Sequence, residues 1–155
     1  MRRLAALAVI ALAACATSAP PSVDATLAAI EGATVRACPP ERVQAEAQTQ
    51  GFGATSGVRI DDVALVPSAS DPTRAVRLRR VVVSPGGVIA WHDHTQVQGM
   101  ALLVAGEMTE LRNTCLDPLI YRTGDVAIED ADTAHSWRND GGVDAIVLVS
   151  HIVAR

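Results

Sequence analysis

The sequence predicts an all-β fold, a sandwich or barrel of eight or nine short strands. Three observations carry this. From Val58 onward the chain breaks into short segments rich in Val and Ile. Turn signals separate them: Pro85-Gly86-Gly87, Gly106, Thr123-Gly124-Asp125 and Asn139-Asp140-Gly141-Gly142. No stretch in this region has convincing helical periodicity, and strands of this length and spacing pack as sandwiches or closed barrels.

The segments follow in order. V-R-I-D-D-V-A-L-V comes first. A-V-R-L-R-R-V-V-V alternates, with Val76, Leu78 and Arg80 on one face and Arg77 and Arg79 on the other. G-V-I-A-W-H-D-H and G-M-A-L-L-V-A follow, then E-M-T-E-L-R-N, P-L-I-Y, D-V-A-I-E and A-H-S-W-R. The last is V-D-A-I-V-L-V-S-H-I-V. Hydrophobic residues make up 49% of the 155 but aromatics only 3%, so the core must be built from Val, Leu, Ile and Ala. All the basic residues are Arg, which reads as coding bias. The net charge of −4 argues against a nucleic-acid surface.

Ahead of this region the texture differs. Met1-Arg2-Arg3 is a cationic start and Leu4 to Ala14 an apolar run, long enough for a signal-peptide core and too short to cross a bilayer as a helix. It ends in L-A-A-C, which resembles the lipobox of bacterial lipoproteins, with Cys15 as the lipidated first residue. The other reading is an ordinary signal peptide with an incidental Cys. Ala16 after the Cys implies the outer membrane, and two or more acyl chains give stable anchoring. Loss of residues 1–14 removes Arg2 and Arg3 and no acid. Eleven basic residues then face 17 acidic ones, so the net charge moves from −4 to −6.

Ala16 to about Val23 reads as a flexible tether. D-A-T-L-A-A-I-E suits a short helix capped by Asp24. P-P-E-R-V-Q-A-E-A-Q suits another turn or two with proline at its start. The expected organisation is therefore a signal peptide (1–14), a lipid-anchored tether and partly mobile extension (15–56) and a β-barrel domain (57–155). Cys38 and Cys115 read as a disulfide in an oxidising compartment. It would close a loop of about 77 residues, worth about 4 kcal/mol in the chain-entropy model. Two free buried thiols, or a reactive Cys115, are the alternatives.

On a strand, His92 and His94 point one way and Asp93 the other. Two imidazoles so placed can reach one ion, and A-H-S-W-R supplies His135 from a second strand. Here the chain resembles the cupin superfamily. That family's first motif runs Gly, five residues, His, one residue, His, three or four residues, Glu, six residues, Gly. Gly86, His92, His94 and Gly106 match it in register. The second runs Gly, five residues, Pro, one residue, Gly, two residues, His, three residues, Asn. Gly124, His135 and Asn139 match it. The resemblance, over about 100 residues, implies a double-stranded β-helix (jelly-roll) barrel and a metal bound by His92, His94 and His135. It also implies a possible homodimer through sheet edges.

Two departures matter. Gly99 stands where the family has Glu. Gln98 beside it is a weak fourth-ligand candidate, since strand alternation turns it from the pocket. Asp130 and Asp132 replace the Pro and Gly of the second motif, giving a cluster E-D-A-D from Glu129, read first as a solvated loop and second as another cation site. Three neutral imidazoles with open positions suit Fe, Zn, Mn, Ni or Cu. They would leave the ion's full charge uncompensated, which strengthens Lewis acidity. The resemblance extends to three-histidine iron oxygenases. A vestigial pocket without an ion is the bland alternative.

Gly99, Ala101 and Leu103 share a face and should line an apolar pocket. Trp137 joins them or simply fills core. Trp91 should pack away from His92. His151 reads more readily as a structural histidine than as a cavity residue, Asn139 as a turn residue, and Tyr121 as a phenolic donor without a place. The expected function is metal-dependent chemistry on a small organic substrate, oxygenation if the ion is iron. The alternative is a non-catalytic small-ligand or metal-binding envelope lipoprotein.

Overall fold

The structure is a computed structural model. It describes residues 31–155 together with Asp24, Leu27 and Ala28. The expected signal peptide, Cys15 and the tether from Ala16 to Val23 lie outside the described residues. The described residues form one nine-stranded sheet. Its strands are β1 (Thr34–Val35), β2 (Ser56–Pro67), β3 (Arg74–Asp93), β4 (Gln98–Ala105), β5 (Glu107–Arg112), β6 (Leu119–Arg122), β7 (Asp125–Glu129), β8 (Ala134–Arg138) and β9 (Ala145–Ala154). The order is β1-β7-β4-β9-β3-β8-β5-β6, with β2 added beside β3. The sheet curls, because one core joins residues from both ends of that path: Ala127 and Leu103 from one, Met108 and Tyr121 from the other. The all-β jelly-roll expectation holds.

The strand segments read from sequence appear with one revision. The turn expected at Pro85-Gly86-Gly87 does not end a strand. β3 runs through it for 20 residues and changes partner, pairing with β9 over Arg74–Val83 and with β8 over Val88–Asp93. Gly86 takes φ 75°, a left-handed conformation that favours glycine. A side chain at Gly87 would press within 2.9 Å of the Gly57 carbonyl. Asn139 clamps this bend, as its assignment to a turn anticipated. Its amide donates to the Val83 and Val143 carbonyls, each at 2.8 Å.

The alternation of V-R-L-R-R is present, and its apolar members face out. Ala75, Val81 and Val83 are buried, which places Arg77 and Arg79, of the same parity, on the concave face. Val76 is exposed on the outer side.

The described part of the extension lies on the barrel. β1 pairs in parallel with β7. P-P-E-R yields only a 3-10 turn, Pro40–Arg42. Cys38 and Cys115 form a disulfide with Cα atoms 5.6 Å apart. The Gln48 amide donates to the Leu116 carbonyl at 3.0 Å, and the Ala47 N–H to that of Asn113 at 2.8 Å. The Phe52 N–H donates to Ser136 Oγ at 3.2 Å.

Candidate metal centre

His92, one residue before the end of β3, stands directly opposite His135 of β8. His94 follows Asp93, its N–H held by the Thr133 carbonyl at 2.9 Å. The three rings converge: His94 Nε2 lies 2.9 Å from His135 Nε2, and His135 Nε2 lies 3.2 Å from His92 Nε2. His94 and His135 are buried, and His92 is the most accessible of the three.

The other ring nitrogens decide what these three can do. His92 Nδ1 meets the Ala90 carbonyl at 2.9 Å, and His94 Nδ1 meets the Val97 carbonyl at 2.9 Å. His135 Nδ1 meets Glu110 Oε1 at 2.6 Å. A carbonyl or carboxylate oxygen only accepts, so each Nδ1 carries a hydrogen, and a ring holding that one hydrogen turns a bare Nε2 lone pair inward. Burial holds His94 down to about 4, and burial with neighbouring His135 also lowers His92, so both are neutral at neutral pH. Three lone pairs facing one another repel unless a cation lies between them. Nitrogens bound to one ion at about 2.1 Å stand about 3.0–3.4 Å apart. The 3.2 Å separation lies in that range and the 2.9 Å one just below it.

Sequence reasoning missed Glu110. It is fully buried on β5, opposite Trp137. It accepts from His135, from the Tyr121 hydroxyl at 2.8 Å and from Arg112 Nε at 3.1 Å. Burial alone would raise its pKa, but His135 and Arg112 outweigh this and hold the carboxyl below its usual range. Tyr121, unplaced in the sequence, is 1% exposed and donates to Glu110. Burial pushes its own pKa up, so it stays a phenol.

The second missed carboxylate comes from E-D-A-D. Asp130 and Asp132 are exposed, with Asp130 accepting from Thr133 Oγ1 at 2.7 Å. Glu129 is 4% exposed, points inward and corrects the solvated-loop reading. Strand parity was the available signal: in D-V-A-I-E, Glu129 shares the face of the wholly buried Ala127. Glu129 Oε1 lies 3.7 Å from His135 Nε2, and Oε2 lies 2.6 Å from His151 Nε2. His151 is likewise buried, its ring 5.3 Å from that of His94. It belongs to the cluster, against the structural reading favoured from sequence. Burial would raise the Glu129 pKa, but the His151 hydrogen bond and the imidazoles around it lower it overall.

Gln98 is exposed and sits beside Arg74 and Ile152, away from the rings, so the fourth-ligand suggestion is corrected. Gly99 does not line the cavity either. It pairs with Glu129 on one side and His151 on the other, and any side chain there would collide with the Ser150 carbonyl. Ala101, Leu103 and Trp137 do line a small apolar cavity of about 40 Å³, which Glu129 reaches. Trp137 packs 4.7 Å from the Tyr121 ring, and Trp91 is half-buried. Arg77 stands in register with His151, and Arg79 with Val149. The Nε atoms of both arginines are buried and have no hydrogen-bond partner among the described residues.

The curled all-β sheet is the architecture of a cupin-type fold. Residues 79–151 match the Cupin domain family. KdgF from Halomonas sp. has a similar fold, with 14% identity, a TM-score of 0.51, and coverage of 71% of this chain and 91% of KdgF. The Schizosaccharomyces pombe Cnp3 cupin domain gives 13% identity, a TM-score of 0.48, and coverage of 64% and 66%. A recombinant oxalate oxidase in complex with glycolate gives 19%, 0.49, and coverage of 67% of this chain and 57% of its own. No curated protein matches the sequence.

Proposed function

We propose that this chain is an exported cupin-fold protein that holds a divalent transition metal on His92, His94 and His135 and uses it in chemistry on a small organic molecule. The observation that carries the reading is the set of three inward Nε2 lone pairs, each fixed by an acceptor on its own Nδ1. Fe, Zn, Mn, Ni or Cu fits such donors. A bound ion would supply Lewis acidity, or electron transfer if it is iron, at positions the protein leaves open.

The chain's own residues supply the rest. Glu110 orients His135 and raises its basicity as a ligand. The cavity beside Ala101, Leu103 and Trp137 excludes bulk water. The unpartnered Nε atoms of Arg77 and Arg79 favour an anionic molecule, a carboxylate above all. The L-A-A-C segment supports lipid anchoring through Cys15 to the outer membrane. β2 pairs only with β3, which leaves an edge for the expected homodimer.

A non-catalytic binding role is the second reading. It is favoured by Tyr121, the phenol nearest the cluster, being committed to an internal hydrogen bond with Glu110. Elemental analysis of protein recovered from its own compartment tests the proposal. One equivalent of a first-row metal is expected, and its loss on replacing His92 and His94 by Ala. Absence of metal in the wild type sinks the reading. Turnover of small carboxylates by loaded protein separates enzyme from binding module. Release of a Cys15→Ala variant from membranes tests the anchor.

A further inference from the structure

We infer that Glu129 supplies the metal-binding carboxylate that position 99 cannot, with His151 as the residue that positions it. This rests on the three-histidine reading and extends it.

The argument begins with the backbone. At Gly99 strands β4 and β9 approach so closely that a Cβ would strike the Ser150 carbonyl and come within 2.9 Å of His151 Cδ2. No side chain can leave that position towards the rings without moving a strand. Its two cross-strand neighbours are Glu129 on β7 and His151 on β9. Directly opposed residues in antiparallel strands point to the same face. The two side chains flanking Gly99 therefore project into the space its own would have entered.

The carboxylate is oriented. Oε2 is tied to His151 Nε2 at 2.6 Å. Oε1 makes no hydrogen bond among the described residues and stands 3.7 Å from His135 Nε2. That oxygen is within reach of an ion shared by the three rings. His94 belongs to both possible ligand groups, His92–His94–His135 and His94–Glu129–His151. Its Nδ1 is engaged with the Val97 carbonyl, so it has one lone pair to give. Two ions cannot share it, and both groups describe one centre. His151 Nδ1 is buried without a partner, which is consistent with a ring placed by its hydrogen bond to Glu129. A carboxylate in the set also neutralises one of the ion's two charges, and it shifts preference towards oxygen-seeking metals such as Mn²⁺.

The experiment is competitive titration of metal-stripped full-length protein with Mn²⁺ and Cu²⁺, comparing wild type with Glu129→Gln and His151→Gln. Glu129→Gln should weaken Mn²⁺ binding about tenfold or more, and Cu²⁺ binding less. His151→Gln should fall between that variant and wild type. Wild type that binds one equivalent while Glu129→Gln binds Mn²⁺ equally well overturns the inference and leaves the three-histidine site standing. Wild type that binds no metal overturns both. Should Glu129→Gln fail to fold, infrared difference spectra of wild type with and without Zn²⁺ decide. Carboxylate stretching bands that move on loading support the inference, and bands that stay overturn it.

Discussion

Two buried carboxylates flank the histidine cluster, and each meets a ring at 2.6 Å, yet they are built in opposite order. On the β5–β8 side His135 faces the centre and Glu110 stands behind it, closed off by Tyr121 and Arg112. On the β7–β9 side Glu129 faces the centre and His151 stands behind it, with a nitrogen unpartnered. A saturated network fixes geometry, because every donor and acceptor already has its mate. An unsaturated one is a place where something can bind. The difference separates a scaffold from a working edge within one cluster.

The largest effect expected is from His135→Ala. It removes the ring nearest both other histidines and leaves Glu110 buried without its main partner. Metal binding should vanish in titration. The metal-free protein should lose about 2 kcal/mol in denaturant unfolding, since the buried Glu110 carboxylate loses one hydrogen bond while Arg112 and Tyr121 keep theirs. His151→Ala on the other side should leave metal binding measurable. If the two variants lose metal alike, the distinction between the sides fails.

Glu110→Gln comes next. It keeps the shape and an acceptor oxygen while removing the charge that orients His135. Affinity for Zn²⁺ should drop about 10–100-fold, the usual cost of losing a carboxylate behind a metal-bound histidine. Binding unchanged within error would show that Glu110 serves only the fold. Tyr121→Phe reaches one bond further out. It removes one donor to a charged acceptor and should cost about 1.5 kcal/mol of stability. Metal affinity should stay within about threefold of wild type, because His135 keeps its carboxylate.

Much of this was legible beforehand. His92, His94 and His135 could be read because strand parity and spacing locate them without knowledge of the strand order. Cys38 and Cys115 could be read as a pair on the expectation of an oxidising compartment, and their sulfurs do meet. Glu110 and Glu129 could not be assigned. Their roles depend on which strands lie side by side, and β7 meets β4, and β5 meets β8, only once the sheet is threaded. Arg77 and Arg79 could not be placed for a related reason: alternation shows that two faces differ, not which of them is concave. Gly99 read as a loss until its neighbours were visible.

The smallest effect expected sharpens the split within E-D-A-D. Glu129 points inward and Asp132, three residues on, is exposed. The backbone carbonyl of Asp132 accepts from the Asn113 amide at 2.8 Å, a bond that does not need its carboxylate. Asp132→Asn should therefore change stability by no more than about 0.5 kcal/mol. At physiological salt it should leave Mn²⁺ affinity unchanged, since an exposed charge beyond contact distance is largely screened. A clear loss of metal at Asp132→Asn would mean that the acidic loop itself holds a cation. The single centre assembled from His94 and Glu129 would then have to be divided in two.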